Sequence, residues 1–191
     1  YYMNINKYLI LILISAIFIG CSNQREDVKN ATKTIVADSG VDPAFKVQLS
    51  KLISNYFRLK ETCVNNDQSS AKSIASEMKN HNNKIDISML NNKDFYAWSK
   101  QQTSLDYILS EIANGSDIEN TRMNFQDLHS PLKKILTKFG IISGPIYVQY
   151  CPMAFKNAGA SWLSDNQDIT NPYFGDKMMD CGTNTEVISF E

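Results

Sequence analysis

The sequence predicts a mainly α fold: an up-and-down bundle of about four helices with a small C-terminal β-hairpin and a long ordered loop. Three observations carry this. Apolar residues recur at helical spacing through four segments between residues 42 and 140. The links between those segments are short and polar, which makes successive helices antiparallel neighbours. Beyond Gly144-Pro145 the character changes to β-branched and aromatic runs at residues 146–150 and 186–190.

The first helix opens at Asp42-Pro43, an N-cap followed by proline at the first helical position, where its missing N–H costs nothing. Phe45, Leu49, Leu52, Tyr56, Leu59 and Cys63 then fall on one face, and Asn65-Asn66-Asp67 ends the helix. A second helix carries Ala71, Ile74, Ala75 and Met78 and is expected to dissolve in the polar stretch from Asn80 to Lys84. A third runs from about Asp94 to Ala113 with Trp98, Leu105, Ile108, Leu109 and Ile112 inward and Gly115 as its stop. Ser116-Asp117-Ile118-Glu119 has the capping-box form and opens a fourth helix with Ile118, Phe125, Leu128, Leu132, Ile135 and Phe139 on one face. Pro131 lies inside that pattern, so a kink or break is expected near His129-Ser130. The stretch between the two β-like runs is rich in Gly, Asn, Asp and Ser. It also holds Phe155, Trp162, Tyr173 and Phe174, aromatics that expect an ordered, packed loop. Asn171-Pro172-Tyr173-Phe174-Gly175 reads as a turn with Gly175 at positive φ.

The N-terminal segment reads as an export signal. Met3 is the expected start, Lys7 is a positive n-region, Tyr8 to Ile19 is apolar apart from Ser15, and Gly20 is a small residue before Cys21. The apolar run is short of the roughly 18–20 residues a spanning helix needs. Phe18-Ile19-Gly20-Cys21 is a loose lipobox, so residues 1–20 are expected to be a lipoprotein signal peptide and Cys21 the lipidation site. Residues 21–41 are then expected to form a flexible tether, and residues 42–191 the helical bundle domain with its C-terminal Cys/Met hairpin. The expected location is the cell envelope, anchored through lipid to the outer membrane at its periplasmic or surface face.

The chain has 19 basic and 20 acidic side chains, a formal charge of −1. No basic patch with interleaved aromatics is present, so nucleic acid is not an expected partner. No Ser/His/Asp order, no HExxH and no phosphate-cradling glycine loop is visible, and the expectation is a protein that is not an enzyme.

The chemistry-bearing residues gather at the ends of the hairpin. Cys151-Pro152-Met153 closes the first β-like run and Met178-Met179-Asp180-Cys181 precedes the second. Antiparallel pairing puts the end of one beside the start of the other, which brings Cys151 and Cys181 together across 30 residues of sequence. Thiolate and thioether donors select soft ions, Cu(I) above all and Zn(II) through the thiolates. His129, beside Pro131, could add an imidazole or could be a histidine at the core edge. Cys151 and Cys181 could equally form a structural disulfide in an oxidising compartment, and the methionines could fill gaps. Cys63, on an apolar face, reads as a small hydrophobe.

The run Tyr147-Val148-Gln149-Tyr150-Cys151-Pro152-Met153-Ala154, then Gly159-Ala160-Ser161-Trp162-Leu163-Ser164, then Ile169-Thr170-Asn171-Pro172-Tyr173-Phe174-Gly175-Asp176-Lys177-Met178, then Cys181-Gly182 resembles a bacterial envelope family of unknown function. Tyr56-Phe57-Arg58-Leu59-Lys60 and Arg122, Phe125, Leu128 and Leu132 extend the likeness over about residues 46–190. That family occurs as lipoproteins and fused to CusB-like periplasmic adaptor subunits of heavy-metal RND efflux pumps. The resemblance implies metal handling, with Cys151, Met153, Met178 and Cys181 as ligands of Cu(I), and an efflux adaptor or another envelope metal carrier as partner. It favours Met178 over Met179 as ligand, gives no support to His129, and supports a packing role for Cys63.

Overall fold

The computed structural model describes residues 33–37 and 40–190. The signal peptide expected over residues 1–20 and the lipidation site Cys21 lie outside the described residues. Among those described, no helix is long and apolar enough to cross a membrane.

Four long helices form the body: α1 (Pro43–Val64), α2 (Gln68–Lys84), α3 (Asn92–Ala113) and α4 (Ile118–Phe139). Each packs on the next, and α4 returns to α1. Their starts follow local chemistry. The Asp42 carboxylate accepts from the Ala44 N–H at 2.7 Å with Pro43 in the first turn, Asp67 caps α2 through the Ser70 N–H, and Asn91 caps α3 through the Asp94 N–H. The expected capping box at Ser116 is shifted by one residue. Asp117 is the N-cap of α4 and accepts from the Asn120 N–H at 2.9 Å, while Ser116 Oγ donates to the Asp117 carboxylate.

Two expectations about helix ends are corrected. α2 does not dissolve after Asn80 but continues to Lys84. Asn82 is fully buried, donating its side-chain amide to the Gln102 backbone carbonyl oxygen and accepting at its own backbone carbonyl from the Gln102 side-chain amide, so a polar residue is tied to α3 by two reciprocal hydrogen bonds. α4 does not break at Pro131 either; it runs through to Phe139 with Pro131 buried. Phe125, Leu128, Leu132, Ile135 and Phe139 are all buried on the same face, and that packing outweighs the one backbone bond proline removes. The predicted inward faces of α1 and α3 are otherwise as read, with Ile108 only half-buried.

The C-terminal part is a mixed four-stranded sheet and not a simple hairpin. Its strands are β1 (Lys33–Ala37), β2 (Ile146–Cys151), β3 (Ala160–Ser164) and β4 (Thr183–Phe190), in the order β1-β4-β2-β3. The expected β2–β4 pairing is present and antiparallel, from Ile146↔Ile188 to Tyr150↔Thr183 with an irregularity at Val148/Gln149. β1 arises within the segment expected to be tether and pairs parallel with β4. β3 arises within the segment expected to be loop and pairs antiparallel with β2, Cys151 facing Ala160. Its Trp162, Leu163 and Ser164 are buried, as suits a strand covered by α4.

Two aromatic clusters fill the interior. Phe45, Trp98 and Phe139 meet edge to face inside the bundle. At the junction with the sheet, Tyr56 stacks on Phe125 at 5.0 Å, and Tyr173 contacts Phe125, Phe155 and Trp162. This second cluster seats the long loop on the helices.

Candidate functional site

The site is built where β2 ends and β4 is about to begin. Cys151 is the last residue of β2 and is fully buried. Cys181 is two residues ahead of β4 and half-buried. Their thiols are in hydrogen-bond contact, and this contact, ahead of burial, pushes the Cys181 thiol up to about 11. The Met153 backbone N–H reaches the same Cys181 sulfur and acts in the opposite sense, favouring its thiolate. The structure therefore brings together the two cysteines that the sequence reading paired.

Met153 and Met178 join them through the backbone. Met153 supplies that N–H, and its side chain is 47% exposed at the mouth of the site. The Met178 carbonyl accepts from the Cys181 N–H at 3.3 Å, closing the turn that carries Met178, Met179 and Cys181. The Met178 side chain is half-buried and that of Met179 exposed.

Gly182 sets how closely the two halves approach. Its φ is +153°, and a Cβ there would lie 2.8 Å from the Trp162 indole and 3.2 Å from the Tyr150 carbonyl oxygen. Only glycine lets the chain pass this close to β2 and β3 and leave Cys181 beside Cys151.

Several supporting residues were not foreseen as such. Asn171, fully buried, donates its side-chain amide to the Cys181 carbonyl oxygen at 2.7 Å and its backbone N–H to the Met179 carbonyl oxygen at 2.8 Å. Its side-chain oxygen accepts from the Tyr173 N–H at 2.8 Å. The sequence signal was the Asn-Pro turn; its long-range partners have no local signature. Gln149, also fully buried, donates to the carbonyl oxygens of Asn166, Gln167 and Asp168 and to Asn184 Oδ1, gathering the middle of the loop beside β4. Two buried cations fix the loop to the bundle. Arg122 donates to the carbonyl oxygens of Pro172 and Cys63 and to Asn66 Oδ1, and pairs with Glu119. Lys60 reaches Ser164 Oγ and Thr170 Oγ1 and pairs with Glu61. Gly175 has φ +58°, as expected of its turn, and a Cβ there would lie 2.8 Å from the Arg122 guanidinium.

Immediately beyond Met153 the backbone takes an unusual course. Phe155, Lys156 and Asn157 have φ of +49°, +59° and +69°, a short left-handed turn that side chains rarely adopt. The Phe155 ring lies 5.1 Å from that of Tyr173, which holds the turn down.

The remaining candidates sit elsewhere. Cys63 is fully buried in the core of α1, and burial pushes its thiol up to about 12, which fits the packing role. His129 faces Lys133 and Glu186, which pair at 2.7 Å, and burial first, then the Lys133 charge, lowers its pKa to about 4. Among the described residues no three of His, Cys, Asp and Glu come together as a metal-binding group.

No curated protein and no solved structure matches the chain. Residues 52–144 match the model of the family described as Protein of unknown function (DUF3347), a match that spans the greater part of the helical bundle and ends just before β2.

Proposed function

We propose that this is a lipid-anchored envelope protein, not an enzyme, that binds one soft metal ion, Cu(I), for buffering or for transfer to a heavy-metal efflux system. The ligands in this reading are Cys151, Cys181, Met153 and Met178. The observation that supports it most is the pairing of the two thiols at the mouth of a rigid turn. Thiolates give affinity and must lose protons to bind; thioethers hold Cu(I) without proton release. The Met153 N–H favours the Cys181 thiolate, Met153 lies two residues after Cys151, and Met178 lies three before Cys181 and is joined to it through its carbonyl oxygen. The lipoprotein-like N-terminal segment and the resemblance to domains fused to CusB-like efflux adaptors supply the location and the class of partner.

Reduced protein titrated with Cu(I) against a chromogenic chelator should take up one ion per chain. The Cys151→Ser/Cys181→Ser pair should abolish uptake, and Met153→Leu or Met178→Leu should weaken it. No uptake, or uptake unchanged in the double variant, rejects the reading. Fatty-acid labelling lost in Cys21→Ala tests the anchor.

The same contact between thiols supports a second reading, an interaction module stapled by a Cys151–Cys181 disulfide. Intact mass after alkylation of protein taken directly from cells separates the two, since a staple leaves both cysteines protected.

A further inference from the structure

Cys151 and Cys181 do not offer their sulfurs equally. Cys151 is fully buried, with its backbone in the ladder opposite Ala160. Cys181 is half-buried in a turn, with exposed Met179 and Asp180 just before it. The antiparallel register that sets Tyr150 opposite Thr183 brings the turn carrying Cys181 to the end of β2, where its thiol neighbours that of Cys151, the juxtaposition a disulfide needs. Exchange at sulfur requires access to the sulfur attacked, and only Cys181 has it. The Met153 N–H is aimed at this same sulfur.

The geometry points to a reversible dithiol–disulfide couple in which Cys181 exchanges with an incoming disulfide and Cys151 resolves the mixed disulfide. The Cys181 thiolate attacks one sulfur of the incoming disulfide. A Cys181–S bond forms, the incoming S–S bond breaks, and the first partner thiolate leaves. The Cys151 thiolate then attacks Cys181 Sγ, the mixed disulfide breaks, and the second partner thiolate leaves. The two cysteine protons end on the two released thiolates. This protein loses two electrons and the incoming disulfide gains them; a reducing dithiol runs the steps backwards. The inference deepens the metal reading, because only the dithiol can hold the ion, and its test uses no metal.

The reduced full chain is pulsed with iodoacetamide at neutral pH and its cysteines are mapped by mass spectrometry. Cys181 should be modified at least about tenfold faster than Cys151 or Cys63, as follows from its access. Glutathione disulfide should then give a transient adduct on Cys181, followed by a Cys151–Cys181 disulfide that dithiothreitol reopens without denaturant. In Cys151→Ser the adduct should persist. In cells that variant should carry either a glutathione-sized mass gain or a protein-sized shift on a non-reducing gel, which identifies the source of the disulfide. Equal modification of Cys151 and Cys181, an adduct on Cys151, or a disulfide that resists reduction until the chain unfolds would overturn the inference. Should Cys151→Ser not fold, the wild-type measurements decide alone.

Discussion

The Arg122 guanidinium, 3% exposed, donates from Nε to the Pro172 carbonyl oxygen at 2.9 Å and so joins α4 to the loop that carries Met178 and Cys181. The same group serves the Cys63 carbonyl oxygen at 2.6 Å and Asn66 at 2.8 Å. Arg122→Met would leave two buried carbonyls and an amide oxygen without a donor. The expected loss is about 3 kcal/mol in urea unfolding, and Arg122→Lys should recover only part of it because an ammonium cannot span the fork.

Asn171→Ala removes the bond to the Cys181 carbonyl oxygen and the acceptor of the Tyr173 N–H while leaving every proposed ligand side chain in the sequence unchanged. Stability should fall by about 2 kcal/mol. Cu(I) affinity should fall as well, measured by chelator competition, because the turn holding Met178 and Cys181 loses its buried tie. Affinity equal to wild type would show that the turn holds its shape without Asn171.

Gly182→Ala should cost about 2 kcal/mol, from a Cβ driven against the Trp162 indole at a φ that alanine resists. It should also slow closure of the Cys151–Cys181 disulfide, read by the rate of thiol loss in glutathione disulfide. An unchanged rate would mean that the approach of the two cysteines does not depend on this glycine.

His129 gives a pH dependence. Burial, then Lys133, lowers its pKa from 6.5 to about 4, so the native state resists the proton that the unfolded chain accepts. Its contribution is present above 6.5 and is lost as pH falls from there to about 4, below which the loss levels off. The total is roughly 3 kcal/mol from the linkage relation. Unfolding free energies measured across this window should show the slope in wild type and lack it in His129→Leu.

The helices were legible because their apolar residues repeat every three or four positions and because Asp42, Asp67 and Gly115 mark ends with local chemistry. Asn82 and Pro131 misread for a shared reason: each looks like a breaker from its neighbours, and each is overruled by a partner from another helix or by a buried face. The β2–β4 pairing was legible from two β-branched runs, and with it the meeting of Cys151 and Cys181. β1 was not, since four of its five residues are not buried and its only described partner strand is β4, some 150 residues away. β3 hid among loop residues because its five residues alternate weakly. Arg122, Lys60, Gln149 and Asn171 support the loop across 10 to 110 residues of sequence, a distance at which no spacing rule operates.

β1 also shortens the leash. Were residues 21–41 free, a lipid on Cys21 would let the domain range about 70 Å from the bilayer, at about 3.5 Å per extended residue. Docking of Lys33–Ala37 against β4 leaves twelve residue steps between Cys21 and the sheet, a reach of about 40 Å. On the proposed anchor at Cys21 the domain would stay within that distance of the bilayer, and a pull on the anchor would load the edge of the same sheet that carries the cysteine pair.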